Sequence, residues 1–344
     1  MIANTAAIGP VTRRQAIRFM SAAAVAQGGI GAIPPAPKAG AELRFDDLVR
    51  FEALAGATSI EEWVTRYLTK ASGGLAAYIK TNGVSAADFE RAIAERPKFF
   101  RALAGLRDRI RPQEAAILNA MGKVRELAPS TPQVPVFFFI GTAGPGATVK
   151  EVTSAGRELG LGILVPTEMV GMTSTTDMSE FSEGRCGRGD VSALPQLVAH
   201  EYAHVAQVQL QGLERYRSIY RQEGRNTHLA YAVREGAADL LAYLASGQLR
   251  ERHHYMLANE ASLWREFVRF LDQPVSSSTG WFSTPGGARC DRPAQLGYAI
   301  GYAISRHYYQ AASDRGQALG EILSAVEPQD LLQIAAPYRA AMGG

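Results

Sequence analysis

Apolar residues follow two different spacings along this chain of 344 residues. From Phe45 to Leu127 they recur at the spacing of one helix face, in a succession of short helical segments. Pro97 and Pro112 stand near predicted helix starts, and Ser85 to Asp88 has the pattern of a capping box. Helical spacing returns from Ser192 to the end of the chain. We therefore expect two helical regions with a different kind of structure between them.

The segment between the helical regions has the character of β-strands. After a linker from Pro129 to Pro135, two short apolar runs rich in β-branched and aromatic residues occur, VPVFFFIG from Val134 and GLGILVP from Gly160. The glycine-rich sequence GTAGPGATV lies between them and lacks the spacing of a phosphate-binding loop. The whole pattern predicts an α+β protein that is mostly α-helical and has a small β-sheet. A loop rich in Ser, Gly and Pro extends from Gln273 to Pro293, and we expect it to border a cleft in the surface of the protein.

One helix of the second region is predicted from about Ala193 to about Leu210. Its apolar residues have the i, i+3, i+4 spacing of a buried helix. Asp190 or Ser192 is a suitable N-cap, and Gly212 follows as a stop signal. This helix contains the sequence HEYAH.

The sequence HEYAH places His200, Glu201 and His204 in an H-E-x-x-H pattern. On a helix the two histidines lie on one face, so that both imidazoles can bind the same Zn²⁺ ion. Glu201 lies beside that ion, where its carboxylate can accept a proton from an attacking water. The pattern predicts one zinc ion per chain and hydrolysis of a peptide bond, with Glu201 as the general base.

A catalytic zinc ion usually has three protein ligands, so a further ligand is needed. The next strong helical segment, AYAVREGAADLLAYLASG, ends at Gly247 and carries Glu235 and Asp239 four residues apart on one apolar face. Burial of two carboxylates on such a face is costly unless each has a metal ion or a hydrogen-bond donor as its partner. Glu235 is the predicted third ligand, and Asp239 is predicted to hold the N–H of a ligating histidine.

Other histidines compete with this assignment or stand apart from it. His228 lies in a polar sequence between the two helices and is an alternative third ligand, although a lone histidine there is more often solvated or part of a cap. His253 and His254 are adjacent, so their side chains diverge on a helix. We predict that both are surface residues.

Hydrolysis also requires a hydrogen-bond donor for the developing oxyanion. Tyr298 and Tyr302 are four residues apart in a predicted helix, and both are candidates, with His307 ranked below them. The alternative is that the tyrosines are core residues with hydroxyls at its rim. Gly297 and Gly301 of the same helix would allow close approach to a neighbouring element.

The motifs together resemble a known group of enzymes. HEYAH followed by REGAAD resembles the gluzincin metallopeptidases, in which a glutamate on a later helix completes the zinc site. More closely, HEYAHVAQ, REGAADLLAYL and GYAIGYAI resemble bacterial proteins known as predicted zinc-dependent proteases of unknown function. The resemblance extends from about Val134 to about Tyr309.

This resemblance implies a zincin fold of the gluzincin type, with a small sheet above the motif helix. It assigns His200, His204 and Glu235 as zinc ligands and Glu201 as the base. One of the two apolar runs is expected to be an edge strand that binds the substrate backbone. The gap from His204 to Glu235 is longer than in thermolysin-like enzymes, which leaves room for a loop or an extra short helix.

The N-terminal sequence resembles a twin-arginine export signal. Arg13 and Arg14 precede a weakly apolar segment from Phe19 to Ile33, and Ala39 to Ala41 fits a cleavage site. We therefore predict that residues 1–41 are removed and that the protein is periplasmic or secreted. The apolar segment is too short and too interrupted for stable membrane insertion.

The rest of the chain is predicted to form a helical N-terminal region, 42–130, and a catalytic domain, 134–344. Cys186 and Cys290 have no C-x-x-C spacing, so the sequence does not predict a cysteine zinc site. In an oxidising compartment they would pair and join two loops beside the cleft. Two free thiols are the alternative.

The net charge of +3 gives no indication of a nucleic-acid partner. A peptide or protein substrate is expected instead, and the oligomeric state is left open. Two alternatives to peptide hydrolysis stay open as well. One is a zinc amidase acting on another amide, such as one in cell-wall peptide, and the other is an inactive binding or scaffold protein that retains the fold.

Overall fold

The computed structural model describes residues 42–53, 59–144, 146–154, 156–173, 176–181, 189–221, 225–275, 279–282 and 292–343, all within one compact unit. The predicted export signal and the predicted pairing of Cys186 with Cys290 lie outside the described residues. These two predictions therefore stay predictions, and so does the division at 130/134.

The N-terminal region consists of short helices, as the apolar spacing predicted. They are α1 (Asp46–Ala53), α2 (Ile60–Thr69), α3 (Gly73–Asn82), α4 (Ala86–Glu95), α5 (Pro97–Ala102), α6 (Leu106–Ile110) and α7 (Glu114–Leu127). The predicted capping box is present at the start of α4, where Ser85 and Asp88 bond each other's backbone N–H groups. Pro97 begins α5, and Pro112 lies in a 3-10 turn that precedes α7.

The described residues form one four-stranded sheet in the order β1-β2-β4-β3. The strands are β1 (Leu43–Arg44), β2 (Val136–Phe139), β3 (Thr148–Ser154) and β4 (Arg157–Pro166). β2 is parallel to β1 and β4, whereas β3 is antiparallel to β4. The α+β class with mostly helical content is therefore confirmed.

The edge strand differs from the sequence prediction. Both predicted apolar runs are strands, but they form β2 and most of β4, which lie in the middle of the sheet. The edge next to β4 is β3, which begins inside the glycine-rich connection. An edge strand with one solvated face does not need a continuous apolar run, and Lys150, Glu151 and Thr153 accordingly interrupt the apolar pattern of β3.

The C-terminal region consists of longer helices. They are α8 (Leu194–Gln211), α9 (Leu213–Arg221), α10 (His228–Ser246), α11 (Glu251–Ala258), α12 (Glu260–Phe267), α13 (Leu296–Ala311), α14 (Arg315–Ser324) and α15 (Pro328–Ala341). The motif helix α8 differs from its predicted bounds by one residue at each end. α9 is the extra short helix for which the gap after His204 left room. Across the described ranges, no helix combines the length and the apolar character needed to cross a membrane.

Helices α10 and α13 pack backbone against backbone. A Cβ built on Gly301 would lie 1.8 Å from the carbonyl oxygen of Ala232, and a Cβ on Gly236 would lie 1.9 Å from the carbonyl carbon of Gly301. Both glycines thus provide the close approach predicted for them, Gly297 to the ring of Phe282, which would lie 2.3 Å from a Cβ at that position, and Gly301 to the backbone of α10. This contact places the start of α13 beside the helix that carries Glu235.

Replacement of Gly301 by alanine is expected to destabilise the protein. The new Cβ would overlap a backbone carbonyl that cannot move without shifting α10, so we expect a loss of about 1–3 kcal/mol or more in the free energy of unfolding. Urea unfolding followed by circular dichroism measures this loss. Gly320→Ala in α14 is the matched control, because nothing lies within 4 Å of its Cβ. It should stabilise the helix by about 0.5–1 kcal/mol. Equal stability of the two variants would contradict the packing.

Candidate metal centre

Helices α8 and α10 bring three ligand atoms to one point. The two Nε2 atoms of His200 and His204 are 3.2 Å apart. Glu235 Oε2 lies 3.4 Å from the first of these nitrogens and 3.3 Å from the second. All three side chains are buried. In the described residues this is the one group of three or more His, Cys, Asp or Glu side chains that could hold a metal ion.

The size of this triangle fits zinc. Ligands at the usual zinc distances of about 2.0–2.1 Å, arranged tetrahedrally, are separated from each other by about 3.3–3.4 Å. The three separations here are 3.2, 3.3 and 3.4 Å. Two imidazoles and one carboxylate also form a typical donor set for a catalytic zinc site with an open fourth position.

Hydrogen bonds at the far side of each ring turn both Nε2 atoms toward this point. His200 Nδ1 lies 2.8 Å from Asp239 Oδ1, so that Nδ1 carries the proton. His204 Nδ1 lies 2.7 Å from Gln207 Oε1. The Gln207 amide has a fixed orientation because its Nε2 donates to the carbonyl oxygen of Arg234 at 2.9 Å. Nε2 of both rings is therefore the atom available to a metal ion.

Two ring nitrogens and a carboxylate oxygen this close together would repel each other through their lone pairs, unless a proton or a metal ion lies between them. Burial by itself lowers the pKa of His200, but Asp239 and Glu235 outweigh it and raise the pKa to about 9. In the metal-free protein a proton on His200 Nε2 thus supplies part of the charge that a metal ion would bring. Burial likewise raises the pKa of Glu235, yet His204 and His200 overcome this and hold it well below its usual range.

Asp239 is the buried partner of several side chains besides His200. Arg252 Nη2 donates to both of its carboxylate oxygens at 3.0 and 2.8 Å, and His253 Nε2 lies 2.9 Å from Oδ2. Gln196 Nε2 donates to Oδ1 at 3.4 Å. Although burial would raise the pKa of Asp239, Arg252, His200 and His253 hold it well below its usual range. The carboxylate stays charged and fixes the ring of His200.

The prediction for His253 was therefore wrong. Its side chain is fully buried, and it contacts Asp239 as well as the ring of Tyr302 at a centroid distance of 5.0 Å. His254 is exposed, as predicted. Adjacent side chains on a helix point about 100° apart, so one of them can be buried while the other is exposed. The buried carboxylate that holds His253 comes from another helix and was not visible in the local sequence.

His228 lies away from the metal centre. It is the first residue of α10 and is fully buried, with Nδ1 2.9 Å from the carbonyl oxygen of Gln273 and Nε2 3.0 Å from Thr279 Oγ1. Both ring nitrogens thus have partners inside the protein. His228 is neither a ligand nor a solvated loop residue. It holds the start of α10 against the segment that follows Phe270.

The metal centre opens into a cavity of about 780 Å³. One wall is formed by the edge strand β3, from Thr148 to Lys150. Glu201 also lines the cavity beside His200 and His204. Burial raises the pKa of the Glu201 carboxyl, and the two histidines oppose this only in part. The cavity thus combines a carboxylate of increased basicity with an extended backbone edge.

Tyr298 reaches the cavity and Tyr302 does not. The Tyr298 ring stacks on His200 with centroids 6.0 Å apart, and Tyr298 shares a hydrogen bond with Tyr231, which also lines the cavity. Burial raises the pKa of both phenols, so they stay protonated donors at neutral pH. Tyr302 is absent from the described lining of the cavity and is buried between Tyr243 and His253. The prediction of Tyr302 as a candidate oxyanion donor was therefore wrong, because this residue lies in the core.

His307, the lower-ranked donor, also lies away from the cavity in the described structure. Its ring packs on Tyr338 with centroids 5.0 Å apart, and its Nε2 is 4.0 Å from Glu260 Oε1. Burial lowers the pKa of His307. It belongs to the contact between α13 and the helices α12 and α15.

Sequence reasoning did not find three side chains beside the site, namely Gln207, Tyr216 and Tyr231. Gln207 follows His204 by three residues on the same helix face, which was a visible signal. Tyr216 lies in α9 with its ring 6.3 Å from that of His204, and the guanidinium of Arg234 lies 4.4 Å above it. The positions of both tyrosines depend on how α9 and α10 pack, and the local sequence does not reveal that.

Zinc affinity should depend on Gln207 as well as on the ligands. Gln207→Leu removes the acceptor that fixes the His204 ring, and loss of such a partner weakens metal binding by about 10–100-fold. His204→Ala should abolish stoichiometric zinc. Competition with a chelating dye measures both effects, and His254→Ala, an exposed residue, is the control. Unchanged affinity in Gln207→Leu would contradict the assigned hydrogen bond.

Zinc affinity should also rise with pH. A pKa of about 9 means that His200 is protonated at neutral pH in the metal-free protein, so the proton competes with the metal. We expect the affinity to increase about tenfold per pH unit from pH 7 and to level off above pH 9. In Asp239→Asn, removal of the carboxylate that raises this pKa should move the plateau to lower pH. Chelator competition between pH 6 and 10 measures the profile. A flat profile between pH 7 and 8 would contradict it.

Comparison with known proteins agrees with the sequence resemblance. No curated protein and no solved structure matches the chain. Residues 173–325 match the model of a family described as "Predicted Zn-dependent protease (DUF2268)". The matched segment contains the three ligand atoms, Glu201 and Tyr298, and it does not include the sheet. The resemblance to predicted zinc-dependent proteases is thereby confirmed for this segment of the chain.

Proposed function

We propose that this chain is a zinc-dependent peptidase in which His200, His204 and Glu235 bind the metal ion and Glu201 is the general base. The observation that carries this proposal is the triangle of three ligand atoms at 3.2–3.4 Å, with Glu201 lining the same cavity. The match to a family of predicted zinc-dependent proteases supports it.

Zinc bound at this centre would supply Lewis acidity toward water and the substrate carbonyl. Glu201 accepts the proton of the attacking water. Its burial favours this role, because the raised pKa makes the carboxylate a stronger base than an exposed glutamate. The same carboxyl group then holds the proton until it passes to the leaving amine. Glu235 and Asp239 are held ionised by their partners and do not take part in this transfer.

Tyr298 is the proposed donor to the oxyanion. Its ring lies against His200, and its phenol is protonated at neutral pH. Tyr298 has a single O–H proton, so it must accept the hydrogen bond that it shares with Tyr231 while it donates to the oxyanion. A donor held at the position of the developing charge stabilises the transition state.

The edge strand β3 is proposed to bind the substrate backbone. It pairs with β4 on one side, and residues 148–150 face the cavity beside the metal centre. An extended peptide can add to such an edge through backbone hydrogen bonds. With the sheet placed in this way over α8, we propose a zincin fold of the gluzincin type.

We also propose that the reaction takes place outside the cytoplasm. This proposal is supported by the resemblance of residues 1–41 to a twin-arginine export signal, in which Arg13 and Arg14 precede a weakly apolar segment.

Glu201→Gln should bind zinc like the wild type and lose hydrolysis. Loss of the base is expected to lower kcat/KM by about 10²–10⁴-fold. Tyr298→Phe should lower kcat by about 10²–10³-fold, because one oxyanion donor is lost. Cleavage of a peptide library, read by mass spectrometry on zinc-loaded protein, measures both.

Tyr302→Phe is the matched control, since this tyrosine is buried away from the cavity, and it should retain a kcat near the wild-type value. Hydrolysis that persists in Glu201→Gln would refute the proposed base. Zinc-loaded wild-type protein that cleaves no peptide, but does cleave another amide, would favour the amidase alternative.

A further inference from the structure

The charged side chains that line the cavity have an uneven distribution of sign. Apart from the acidic residues Glu201 and Glu235 of the metal centre, the described lining contains only cationic charged residues, namely Lys150, Arg217, Arg250 and Arg252. A cavity of this kind favours a ligand that carries negative charge.

Two of these arginines are already paired with carboxylates. Arg252 donates to both oxygens of Asp239, and Arg217 forms an ion pair with Glu151 on β3. Arg250 differs from them. Among the described residues, no carboxylate forms an ion pair with its guanidinium group. Asp239 and Glu201 attract its charge from a greater distance, but neither of these carboxylates forms an ion pair with it.

The guanidinium group of Arg250 is held in place although it lacks an anionic partner. Its Nε donates to Gln196 Oε1, and the amide nitrogen of Gln196 donates in turn to Asp239. This bond uses one of the five N–H donors of the guanidinium. Because Asp239 also binds His200, a short series of hydrogen bonds joins Arg250 to the metal centre.

The surroundings of Arg250 make its charge costly. Burial and the neighbouring Arg252 lower its pKa to about 10, which still leaves it cationic at neutral pH. Gln295 lines the same cavity with its backbone in the left-handed conformation, φ 59°, and Arg252 Nη1 donates to its side chain at 3.3 Å. Gln295 is the N-cap residue directly before α13, so the positive end of that helix lies here as well. An anion bound at this place would offset these costs.

We propose that Arg250 binds a carboxylate of the substrate, so that the cavity selects peptides with an acidic side chain or a free C-terminus next to the scissile bond. This inference rests on the proposed peptidase function. A planar guanidinium and a carboxylate can form two parallel hydrogen bonds, which gives geometric as well as electrostatic selectivity. Arg250 is then a specificity-determining residue and not a catalytic one.

Binding to a variant without hydrolysis tests this directly. The protein is the full chain with Glu201→Gln, loaded with zinc, and the probes are short peptide hydroxamates that differ at one group. One pair has Glu or Gln beside the hydroxamate, and a second pair has a free or an amidated C-terminus. Titration calorimetry gives the Kd of each probe, and the two pairs distinguish a side-chain carboxylate from a terminal one.

We expect the acidic member of at least one pair to bind about tenfold or more tightly than its neutral isostere. Arg250→Gln in the same background should reduce this ratio to near one, and Arg250→Glu should make a Lys probe bind better than a Glu probe. Arg265→Gln is the control, because it removes the same charge from an exposed arginine on α12. This variant should bind the acidic and neutral probes with the same affinity ratio as the protein with native Arg265.

Equal binding of acidic and neutral probes by the protein with native Arg250 would overturn the proposal, whatever the variants do. A ratio that persists in Arg250→Gln with zinc fully bound would assign the preference to another group and would equally overturn it. If Arg250→Gln loses zinc or fails to fold, the comparison of acidic with neutral probes at native Arg250 still decides. Probe selectivity in a protein that cleaves no peptide would uphold the carboxylate site and refute the peptidase function.

Discussion

The buried carboxylate of Asp239 is the interaction on which the rest of the site depends. Removing a carboxylate from water is costly unless several donors replace the solvent. Asp239 receives these donors from two other helices, with His200 and Gln196 on α8 and Arg252 and His253 on α11. The need to compensate the buried charge of Asp239 fixes the position of each of these donors. The orientation of one proposed zinc ligand and the placement of the start of α11 are thus consequences of burying one charge.

A second constraint places Tyr298. α10 and α13 can approach until Gly301 meets the backbone of Ala232 and Gly236, because neither glycine has a Cβ. Larger side chains would separate the two helices and move the Tyr298 ring away from His200. Gly236 and Gly301 therefore influence the geometry of the site although they do not line the cavity. They allow the helix with Glu235 and the helix with Tyr298 to share one wall of the cavity.

Local patterns in the sequence were sufficient for the parts of the site that lie on one helix face. The spacing of His200 and His204 predicted two ligands on one helix face, and the pair Glu235 and Asp239 on the apolar face of the next helix predicted the third ligand and its supporting carboxylate. The sequence did not reveal the edge strand β3 or the burial of His253. Pairing with β4 forms the strand, and a carboxylate from α10 buries the histidine. The strand depends on its pairing with the consecutive strand β4, and the burial of His253 depends on a residue of another helix. The position of Tyr302 in the core likewise depends on how α13 packs.

The ligand triangle has the dimensions of a zinc site because the protein holds each ligand from behind. Asp239 fixes His200, Gln207 fixes His204, and the bond from Gln207 to the Arg234 carbonyl connects that ring to the turn of α10 before Glu235. A proton on His200 can stand in for part of the metal charge, since the neighbouring carboxylates raise its pKa. Repulsion between the lone pairs of the three ligand atoms is thereby limited without the metal ion. Zinc binding then requires the loss of a proton and little movement of the ligands, so that most of the cost of ordering the site is met when the chain folds.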